Sequence, residues 1–559
     1  MQASRRAQLV TSISKMRLIG ALVCLAVTVV AIVVTVDGAR ILAVLPTNTK
    51  SHYAMYGTIL DALVQRHHNL TVITHFPKNY AAPNIKEISL AGTIKDLSNN
   101  LTRQRNTLKP NFIFNLEALI SECIEACQVV SQQANIRALL NTTDTYDLVI
   151  IEVFGSDCFL PFGKLFNAPV VGLLSSVPLP WVNDQLGNPE IPSYIPAYVT
   201  GFSQSMSLWE RFSNTLSILL AKILYHYKSQ VPSQVIADNL FGPGYKLDEL
   251  AQNYSLVLSN SHFSINEVRP LVPTLIEVGG VHLNDKQIMS KDLRTVLDSA
   301  HEGVIYWSFG SMSRIETIPK DKLKQMFAVI AELPQLFLVK MNRSMMPGNI
   351  TIPENILPME WIPQYKTLCH PNVKVFISHG GLLGTQEAVA CATPMLIVPL
   401  FADQALNARA MRERGVARSI ALADVTENSW RDVLHDLITN DRYKTSALLL
   451  RDKFMDRPMP PLETSVYWIE YVLRHKGATH LRSPALELSF IQYLLLDVVA
   501  LSLAIFLTTT FILHKIFRYL CIRCIRCLPK QEIIEKRLFR RNNIRLFHCF
   551  IWVYKLKTN

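Results

Sequence analysis

The stretch VKVFISHGGLLGTQEAVACATPMLIVPLFADQALN, residues 373–407, decides the fold. Its first residues, 373–377, are β-branched or aromatic, a composition that predicts a buried strand. A polar turn with two adjacent glycines interrupts this run. Helical periodicity then extends over about residues 382–392, and residues 395–400 predict a second buried strand. The order of strand, glycine turn, helix and strand predicts one βαβ unit of a parallel sheet.

Four polar side chains surround this unit. His379 stands in the glycine turn, Glu387 lies about two turns along the helix, and Asp403 and Gln404 follow the second strand. The carboxyl ends of neighbouring parallel strands share one crevice, so these side chains can face one ligand. The free N–H groups and positive dipole end of the helix suit a phosphate. The alternative is an ordinary βαβ unit with a solvated acidic loop.

The spacing His-Gly-Gly-x-x-Gly-x-x-Glu, followed by Pro-x-x-x-x-Pro-x-x-x-Asp-Gln, is much more specific than a glycine turn. It resembles the donor-binding signature of the UDP-glycosyltransferase family, which includes the UDP-glucuronosyltransferases. The resemblance extends over about residues 40–513. It implies an α/β protein of the GT-B class, in which two Rossmann-like domains face a cleft and a single C-terminal transmembrane helix follows.

The amino-terminal part also begins as a βαβ unit. Residues 39–45 predict a strand, residues 56–66 a helix and residues 70–74 the next strand. His52 is placed on the loop after the first strand, where ligand-contacting groups lie in such folds. The family resemblance implies that this histidine is the catalytic base, whereas the bare pattern also allows a surface or helix-start histidine. Three nearby histidines without such a pattern are expected at the surface: His67, His68 and His75.

A carboxylate that holds the second nitrogen of an imidazole makes it a better base. Residues 146–152 predict a strand that ends in Glu152. The family usually has aspartate at the matching place, so the longer side chain of Glu152 changes the geometry. Asp157, five residues later, is the alternative partner of His52.

The family resemblance assigns the donor-binding residues. It implies that Ser308 contacts the diphosphate, that Trp361 stacks on uracil and that Gln364 bonds the base or ribose. The glycine turn and the helix start bind the diphosphate, and Glu387 binds the ribose hydroxyls. Asp403 and Gln404 bind hydroxyls of the sugar. The remaining donor-binding residues are His379, Gly381, Gly384, Asp403 and Gln404.

Leu383 departs from many vertebrate members of the family, which have a small polar or amide residue there. The local run is similar to that of arthropod members. UDP-glucose is therefore the favoured donor, and UDP-glucuronic acid is the alternative.

The net charge of +12 does not indicate a nucleic-acid-binding protein. Residues 515–559 contain twelve basic and two acidic side chains, so that the preceding chain carries only about +2. A basic tail after an apolar segment is a signal of membrane topology. The hydrophobic content of 49% and charged content of 18% suit a globular protein with membrane segments.

Two apolar runs predict the topology. Residues 1–39 form a predicted signal sequence, for which an uncleaved anchor is the alternative. Residues 494–513 are long enough to span a bilayer, and the basic tail 514–559 is expected in the cytosol. Lys555 and Lys557 resemble a dilysine retrieval signal, although a merely basic terminus is the alternative. These features predict a single-pass type I protein of the endoplasmic reticulum with a lumenal body.

The lumenal body contains six Asn-x-Ser/Thr sequons, at Asn69, Asn100, Asn141, Asn253, Asn342 and Asn349. Its five cysteines are sparse and odd in number, so no disulfide framework is expected, and Cys123 and Cys127 are expected in the core. The juxtamembrane cysteines Cys521, Cys524 and Cys527 lack a fourth metal ligand. Palmitoylation or chance explains that run better than a metal site.

The lumenal chain divides into three predicted parts. Residues 40–282 form an acceptor-binding domain, residues 283–455 a UDP-sugar-binding domain, and residues 456–493 a helix and membrane-proximal segment. Residues 182–247 are rich in proline and aromatic side chains and show little regular pattern beyond a helix near residues 209–227. The family resemblance makes this region a lipophilic acceptor pocket. A partly buried insertion or a membrane-adhering surface is the alternative.

The predicted activity is an inverting transfer of a hexose from a UDP-sugar to a hydroxyl of a small lipophilic acceptor, as in detoxification or in hormone or pigment conjugation. The UDP-sugar is a co-substrate, and no cofactor or metal is expected. The expected partners are this donor, the acceptor and the membrane. No nucleic acid is expected as a partner, and a homo-oligomer is possible. The alternative from another class is a non-catalytic lumenal binding protein on the same fold.

Overall fold

The computed structural model describes residues 38–78, 82–94, 112–283, 288–348 and 350–526. The predicted signal sequence up to residue 37, the dilysine pair, the cysteine at position 527 and the sequons at positions 100 and 349 lie outside these ranges. The chain divides into two compact units, Met1–Leu486 and Glu487–Asn559.

The first unit contains two parallel sheets. The first sheet has the order β3-β2-β1-β4-β5-β6-β7 and the second the order β10-β9-β8-β11-β12-β13. The strands of the first sheet are β1 Arg40–Val44, β2 Asn69–Thr74, β3 Ile85–Ser89, β4 Leu148–Glu152, β5 Val170–Leu174, β6 Tyr254–Ser259 and β7 Leu275–Glu277. Those of the second are β8 Val304–Ser308, β9 Leu336–Lys340, β10 Ile356–Met359, β11 Val373–Ser378, β12 Met395–Ile397 and β13 Ala417–Ser419.

Helices cover both faces of each sheet. Those of the amino-terminal half are Lys50–Gln65, Phe112–Ser131, Ala134–Ala138, Pro161–Leu165, Pro180–Leu186, Leu208–Tyr225, Val231–Phe241 and Leu247–Ala251, with a π-turn at His226–Gln230. Those that follow in the first unit are Lys291–Ser299, Lys320–Ala331, Gln364–Leu368, Leu382–Ala390, Gln404–Glu413, Glu427–Thr439, Arg442–Met455 and Pro461–Arg474. Short 3₁₀ turns lie at Leu139–Asn141, Ile315–Thr317, Arg343–Met345, Leu422–Asp424, Thr479–Leu481 and Pro484–Glu487.

The central strands are continuous apolar runs because both of their faces are covered. Every residue of β4, β6 and β8 is buried, as expected for parallel strands between two helical layers. In both sheets the strand order reverses between the first and fourth strands, β1 and β4 or β8 and β11. This reversal opens the crevice in which doubly wound proteins bind ligands, and it confirms the predicted pair of Rossmann-like folds.

The last helix of the first unit, Pro461–Arg474, returns to the amino-terminal sheet. Its apolar side chains Val466, Ile469 and Val472 are buried in one cluster with Ile41 and Leu148. The carboxyl-terminal sequence therefore completes the core of the amino-terminal half.

The crossover segment, residues 260–283, contains β7 of the first sheet and leads to the second half, to which it is also hydrogen-bonded. The side chain of Gln386 donates to the carbonyl of Asn260 at 3.1 Å and accepts from the N–H of Gly280 at 3.0 Å. Arg414 donates to the carbonyls of Ser264 and Asn266. Gln386 is fully buried, so these bonds lie in the packed interior between the halves.

Three expectations about disulfides, buried histidines and helix content in the first unit are wrong. Cys127 pairs with Cys158 and Cys369 with Cys391, because the fold brings together cysteines that are 31 and 22 positions apart, whereas Cys123 stays a buried free thiol. His75 is buried and bonds the carbonyl of Pro46. Residues 182–247 contain more helix than expected, because the helix Leu208–Tyr225 continues through the π-turn His226–Gln230 into the helix Val231–Phe241.

The second unit contains a short helix, Phe490–Tyr493, and a long one, Leu496–Arg526. Residues Leu496–Arg523 of the long helix are apolar enough to cross a membrane. At about 1.5 Å per residue this length exceeds the hydrocarbon thickness of about 30 Å. The helix is longer than the predicted span 494–513 because its periodicity continues into the basic residues.

Candidate active site

A cavity of about 370 Å³ lies between the two halves of the first unit. Its walls include residues after β1, β5, β8, β11 and β12, together with the helix Phe112–Ser131. The cavity therefore occupies the carboxyl edges of both sheets, where the strand order reverses. Most of the predicted site residues meet there.

His52 lies in the first turn of the helix Lys50–Gln65, not on a loop as predicted. The helix begins earlier than its apolar pattern indicates because its first residues face the cavity and are polar. Nδ1 of His52 lies 2.8 Å from Oε1 of Glu152. If Nδ1 carries the proton, Nε2 is left with a free lone pair and can act as a base.

Glu152 is the last residue of β4, and only 4% of it is exposed. Its carboxylate also accepts from the hydroxyl of Thr47 at 2.6–2.7 Å, from the backbone N–H of Thr47 at 3.3 Å and from the hydroxyl of Tyr56 at 3.3 Å. These donors compensate the buried charge and fix its orientation toward His52. The longer side chain of glutamate is thus accommodated where the family usually has aspartate.

Asp157, the alternative partner, points elsewhere. It accepts from the Tyr225 hydroxyl at 2.5 Å and from the Gln185 side chain at 3.2–3.3 Å. Burial raises the pKa of Asp157 to about 6, although these hydrogen bonds oppose the shift. The geometry therefore pairs His52 with Glu152.

The glycine turn holds the ring of His379 between two backbones. A Cβ on Gly381 would lie 2.6 Å from Nε2 of this ring, and a Cβ on Gly310 would lie 2.8 Å from its Cε1. Only glycine fits at either place. Burial, together with the charge of Lys340, lowers the pKa of His379 to about 4, so the ring is neutral at pH 7.

The helix Leu382–Ala390 starts beside this ring, and no side chain caps its first turn. Its first N–H groups thus keep their capacity to bind an anion. Nδ1 of His379 is buried and has no hydrogen-bond partner among the described residues. These groups together form a neutral, donor-rich corner.

A chain of hydrogen bonds follows on the next side of the cavity. The Tyr306 hydroxyl donates to Oε1 of Gln364 at 3.0 Å, and Nε2 of Gln364 donates to Glu387. A Cβ on Gly384 would meet Nε2 of Gln364 at 3.2 Å, so this glycine makes room for the contact. Burial raises the pKa of Glu387 to about 7, and the bond from Gln364 opposes the shift.

Asp403 and Gln404 lie after β12, as predicted. Asp403 accepts from the side chain of Asn407 at 2.9 Å, and the same nitrogen donates to the carbonyl of Gly380. Burial raises the pKa of Asp403 to about 6, and the hydrogen bond from Asn407 opposes this shift. The carbonyl oxygen of the Gln404 side chain accepts from two backbone N–H groups of its loop, so its NH₂ group is what remains for a ligand.

Trp361 lies on the cavity wall with 60% of its surface exposed. The ammonium groups of Lys50 and Lys340 lie 4.5 and 5.7 Å from its ring centroid. Lys50 belongs to the His52 helix, so this contact joins the two halves across the cavity.

Ser308 is not placed as predicted. It is fully buried, and its hydroxyl accepts from the N–H of Gly310 at 3.2 Å. It ends β8 with its side chain inside the turn. Gly310 and Ser311 line the cavity instead.

Lys50, Lys340 and His282 are among the polar residues of the cavity wall that were not identified from the sequence. Lys340 is the last residue of β9, so the strand-end rule that selected Glu152 could have found it. Nε2 of His282 donates to the carbonyl of Leu383 at 3.2 Å, which holds the crossover segment to the glycine-turn helix. Lys50 has no sequence signal because it precedes the apolar pattern of its helix.

The site combines a base with its carboxylate on one wall and an anion-binding corner with a buried carboxylate on the other. An imidazole can take a proton from a hydroxyl while a leaving group with growing negative charge is stabilised opposite it. Among the described residues, no cluster of three or more metal-ligating side chains is found.

Comparisons with known proteins agree with this arrangement. Residues 40–531 match the sequence profile described as UDP-glucoronosyl and UDP-glucosyl transferase. The chain is 35% identical to UDP-glycosyltransferase UGT5 of Dactylopius coccus over 86% of this chain and 93% of that protein. It is 34% identical to UDP-glucosyltransferase 2 of the same insect, over 87% and 93% of the two chains.

A mammalian relative and a solved structure extend the comparison. UDP-glucuronosyltransferase 1A7 of Mus musculus is 28% identical over 85% of this chain and 90% of that protein. The structure of the Spinosyn Forosaminyltransferase SpnP aligns with 78% of this chain and all of that chain, with a TM-score of 0.53 at 15% identity, and it supports the GT-B fold alone. The chain is a glycosyltransferase that belongs to the UDP-glucuronosyl and UDP-glucosyl transferase family.

Proposed function

We propose that this enzyme transfers glucose from UDP-glucose to a hydroxyl of a small lipophilic acceptor, with inversion at the anomeric carbon. The observation that carries the proposal is the pair of His52 and Glu152 at 2.8 Å, which faces the anion-binding corner across one cavity. A base opposite a leaving-group site is what a single displacement requires.

In the proposed step, Nε2 of His52 takes the proton of the acceptor hydroxyl. The acceptor oxygen forms a bond to the anomeric carbon as the bond from that carbon to the diphosphate oxygen breaks. Glu152 stabilises the imidazolium that forms. The electron pair leaves with UDP, whose charge is stabilised by the helix start at Gly381 and by Lys340. One displacement converts an α-linked donor into a β-glycoside.

The donor is proposed to lie along the second wall of the cavity. Trp361 presents an exposed ring on which the uracil can stack. Stacking of a base on an aromatic ring contributes on the order of 1–3 kcal/mol. Glu387, held by Gln364, accepts from the ribose hydroxyls. The diphosphate lies against His379. Backbone N–H groups near Ser311, rather than Ser308, are proposed to contact it.

Asp403 and the free NH₂ group of Gln404 are proposed to bind hydroxyls of the sugar. The side chain of Asn407 donates a hydrogen bond to the carboxylate of Asp403 and so fixes its orientation. The insect relative named UDP-glucosyltransferase 2 and the insect-like residue Leu383 support glucose. UDP-glucuronic acid, supported by the name of the mouse relative, is the competing donor.

The test uses the full chain in lipid nanodiscs with each donor and a panel of phenols and steroids. Release of UDP and formation of a β-glycoside are expected, with UDP-glucose preferred in direct competition. A His52→Ala variant that still binds UDP is the control. UDP release no faster than with this variant contradicts the enzyme mechanism and favours a binding protein.

We also propose that the body is lumenal in the endoplasmic reticulum, with one type I span. The apolar helix Leu496–Arg523 and the basic sequence after it support this topology. Asn69 and Asn141 are exposed sequons, so glycans are expected there. Sensitivity to endoglycosidase H, lost at one site in an Asn141→Gln variant, is the expected result; an unglycosylated chain in a eukaryotic host contradicts the topology.

A further inference from the structure

The long helix of the amino-terminal half, residues 208–241, carries its large apolar side chains outward. It is built from the helices Leu208–Tyr225 and Val231–Phe241 and the π-turn between them. Six exposed side chains form the outer stripe of its first part: Trp209, Phe212, Leu216, Leu219, Ile223 and Tyr227. Trp209 is 74% exposed and Tyr227 is 66% exposed. An exposed apolar surface of this kind indicates an interaction site.

The inner face of the same helix packs into the core of the amino-terminal half through Ala221, Tyr225 and Leu240 and carries two polar anchors. Asn214 is fully buried, donates to the carbonyls of Pro192 and Ile195, and accepts from the N–H of Ala197. The hydroxyl of Ser229 donates to the carbonyl of Gly155 at 2.6 Å. The inner side of the helix is thus already packed, and the outer stripe is a second apolar face, which is exposed.

The π-turn His226–Gln230 keeps the outer stripe on one line. An uninterrupted α-helix turns by about 100° per residue, so side chains eight residues apart point about 80° apart around the helix axis. The extra residue of the π-turn offsets this drift, and Val231 and Val235 remain exposed after Tyr227. Pro232 explains the turn, because its ring cannot be accommodated in a regular helix.

The chain leaves the first unit close to this helix. The hydroxyl of Ser483 donates to the carbonyl of Gly187 at 3.0 Å, and Gly187 ends the helix Pro180–Leu186. Asp184 of that helix pairs with Lys222 of the long helix at 2.7 Å. Residues 487–495 then precede the apolar helix and include the short helix Phe490–Tyr493, so they reach less than the about 30 Å of a fully extended segment of that length. A bilayer that holds that helix therefore lies within reach of the stripe.

We propose that the outer stripe of residues 208–235 lies on the bilayer as a second membrane contact of the body. Its occupant is the acyl-chain and headgroup boundary of the lumenal leaflet, where Trp and Tyr are favoured and apolar helix faces enter by about 5–10 Å. The proposal rests on the proposed span at Leu496–Arg523 but concerns a different part of the chain.

The test places the full chain in phosphatidylcholine nanodiscs that contain a phospholipid with a photoreactive acyl chain. After irradiation, mass spectrometry maps the labelled residues. Labelling is expected at Trp209–Tyr227 as well as within residues 496–523. Leu449 is the matched control, because it is 59% exposed on a helix of the other half and is expected to stay unlabelled.

A variant with Phe212→Ser, Leu216→Ser and Leu219→Ser is expected to lose the stripe labelling and to bind UDP like the wild type. A single Leu216→Ser variant, which weakens the labelling at its own position, serves if the triple variant does not fold. Stripe labelling no stronger than at Leu449, with residues 496–523 labelled, overturns the proposal. Cross-links between two copies through the stripe also overturn it, whereas stripe labelling without labelling of 496–523 overturns only the proposed span.

Discussion

Replacing Glu152 by glutamine tests the proposed catalytic pair with little change of shape. The wild-type carboxylate accepts from His52, Thr47 and Tyr56. Glutamine keeps one oxygen as an acceptor but turns the other into a donor that faces donors already present. The charge that stabilises the imidazolium is lost as well. The variant is therefore expected to bind UDP normally and to turn over slowly.

The magnitude follows from the geometry. Two unit charges about 4 Å apart interact by about 4 kcal/mol at an effective dielectric constant near 20. Because the imidazolium exists only as the proton moves, this loss falls on the transition state. At about 1.4 kcal/mol for each factor of ten, kcat is expected to fall by about a thousandfold.

The assay measures UDP release at saturating donor and acceptor, with UDP affinity determined separately by calorimetry. Glu152→Asp keeps the charge and is expected to retain more activity than Glu152→Gln. Asp157→Asn is the matched control, since Asp157 bonds Tyr225 and Gln185 rather than His52. A decrease in kcat of less than about tenfold for Glu152→Gln refutes the proposed role.

Three further predictions concern the second half and the cleft. The pKa of Glu387 is raised to about 7, and its charged form accepts from ribose hydroxyls, so UDP affinity is expected to fall as the pH drops from 8 to 6. Binding is also expected to release a proton, which calorimetry in buffers of different ionisation enthalpy measures. A Glu387→Gln variant with the same pH profile of UDP affinity contradicts this. Lys50→Met is expected to weaken UDP binding by about tenfold and to reduce its salt dependence, whereas an unchanged Kd means that Lys50 contacts only Trp361. Replacing both Cys369 and Cys391 by serine is expected to lower the unfolding free energy by about 3 kcal/mol for a loop of this length; a Tm equal to that of the wild type contradicts a disulfide in the native protein.

The doubly wound sheets could be predicted because their signals are local. Strands such as β11, Val373–Ser378, are apolar runs whose bounds the sequence predicts to within one residue. The carboxylate at the end of β4 and the histidine in the glycine turn follow from strand-end positions alone. The family resemblance added the roles, which the residues do not specify.

The rest depends on contacts between distant parts of the chain. The start of the His52 helix was missed because Lys50 and Ser51 face the cavity and have no apolar periodicity. The burial of Ser308 depends on the direction of one side chain at a strand end. The pairing of Cys127 with Cys158 requires a helix and a loop to meet, which no spacing along the chain predicts.

The hydrogen bonds of Gln386 limit how the enzyme can open. They attach the crossover segment to the glycine-turn helix, although this segment precedes the second half in sequence. Because the same segment contains β7 of the first sheet, a rotation of one half against the other must strain these bonds. Gln386 is adjacent to Glu387, so an opening motion that strains these bonds displaces the carboxylate that is proposed to bind the ribose. Closing of the two halves and binding of the nucleoside are therefore coupled.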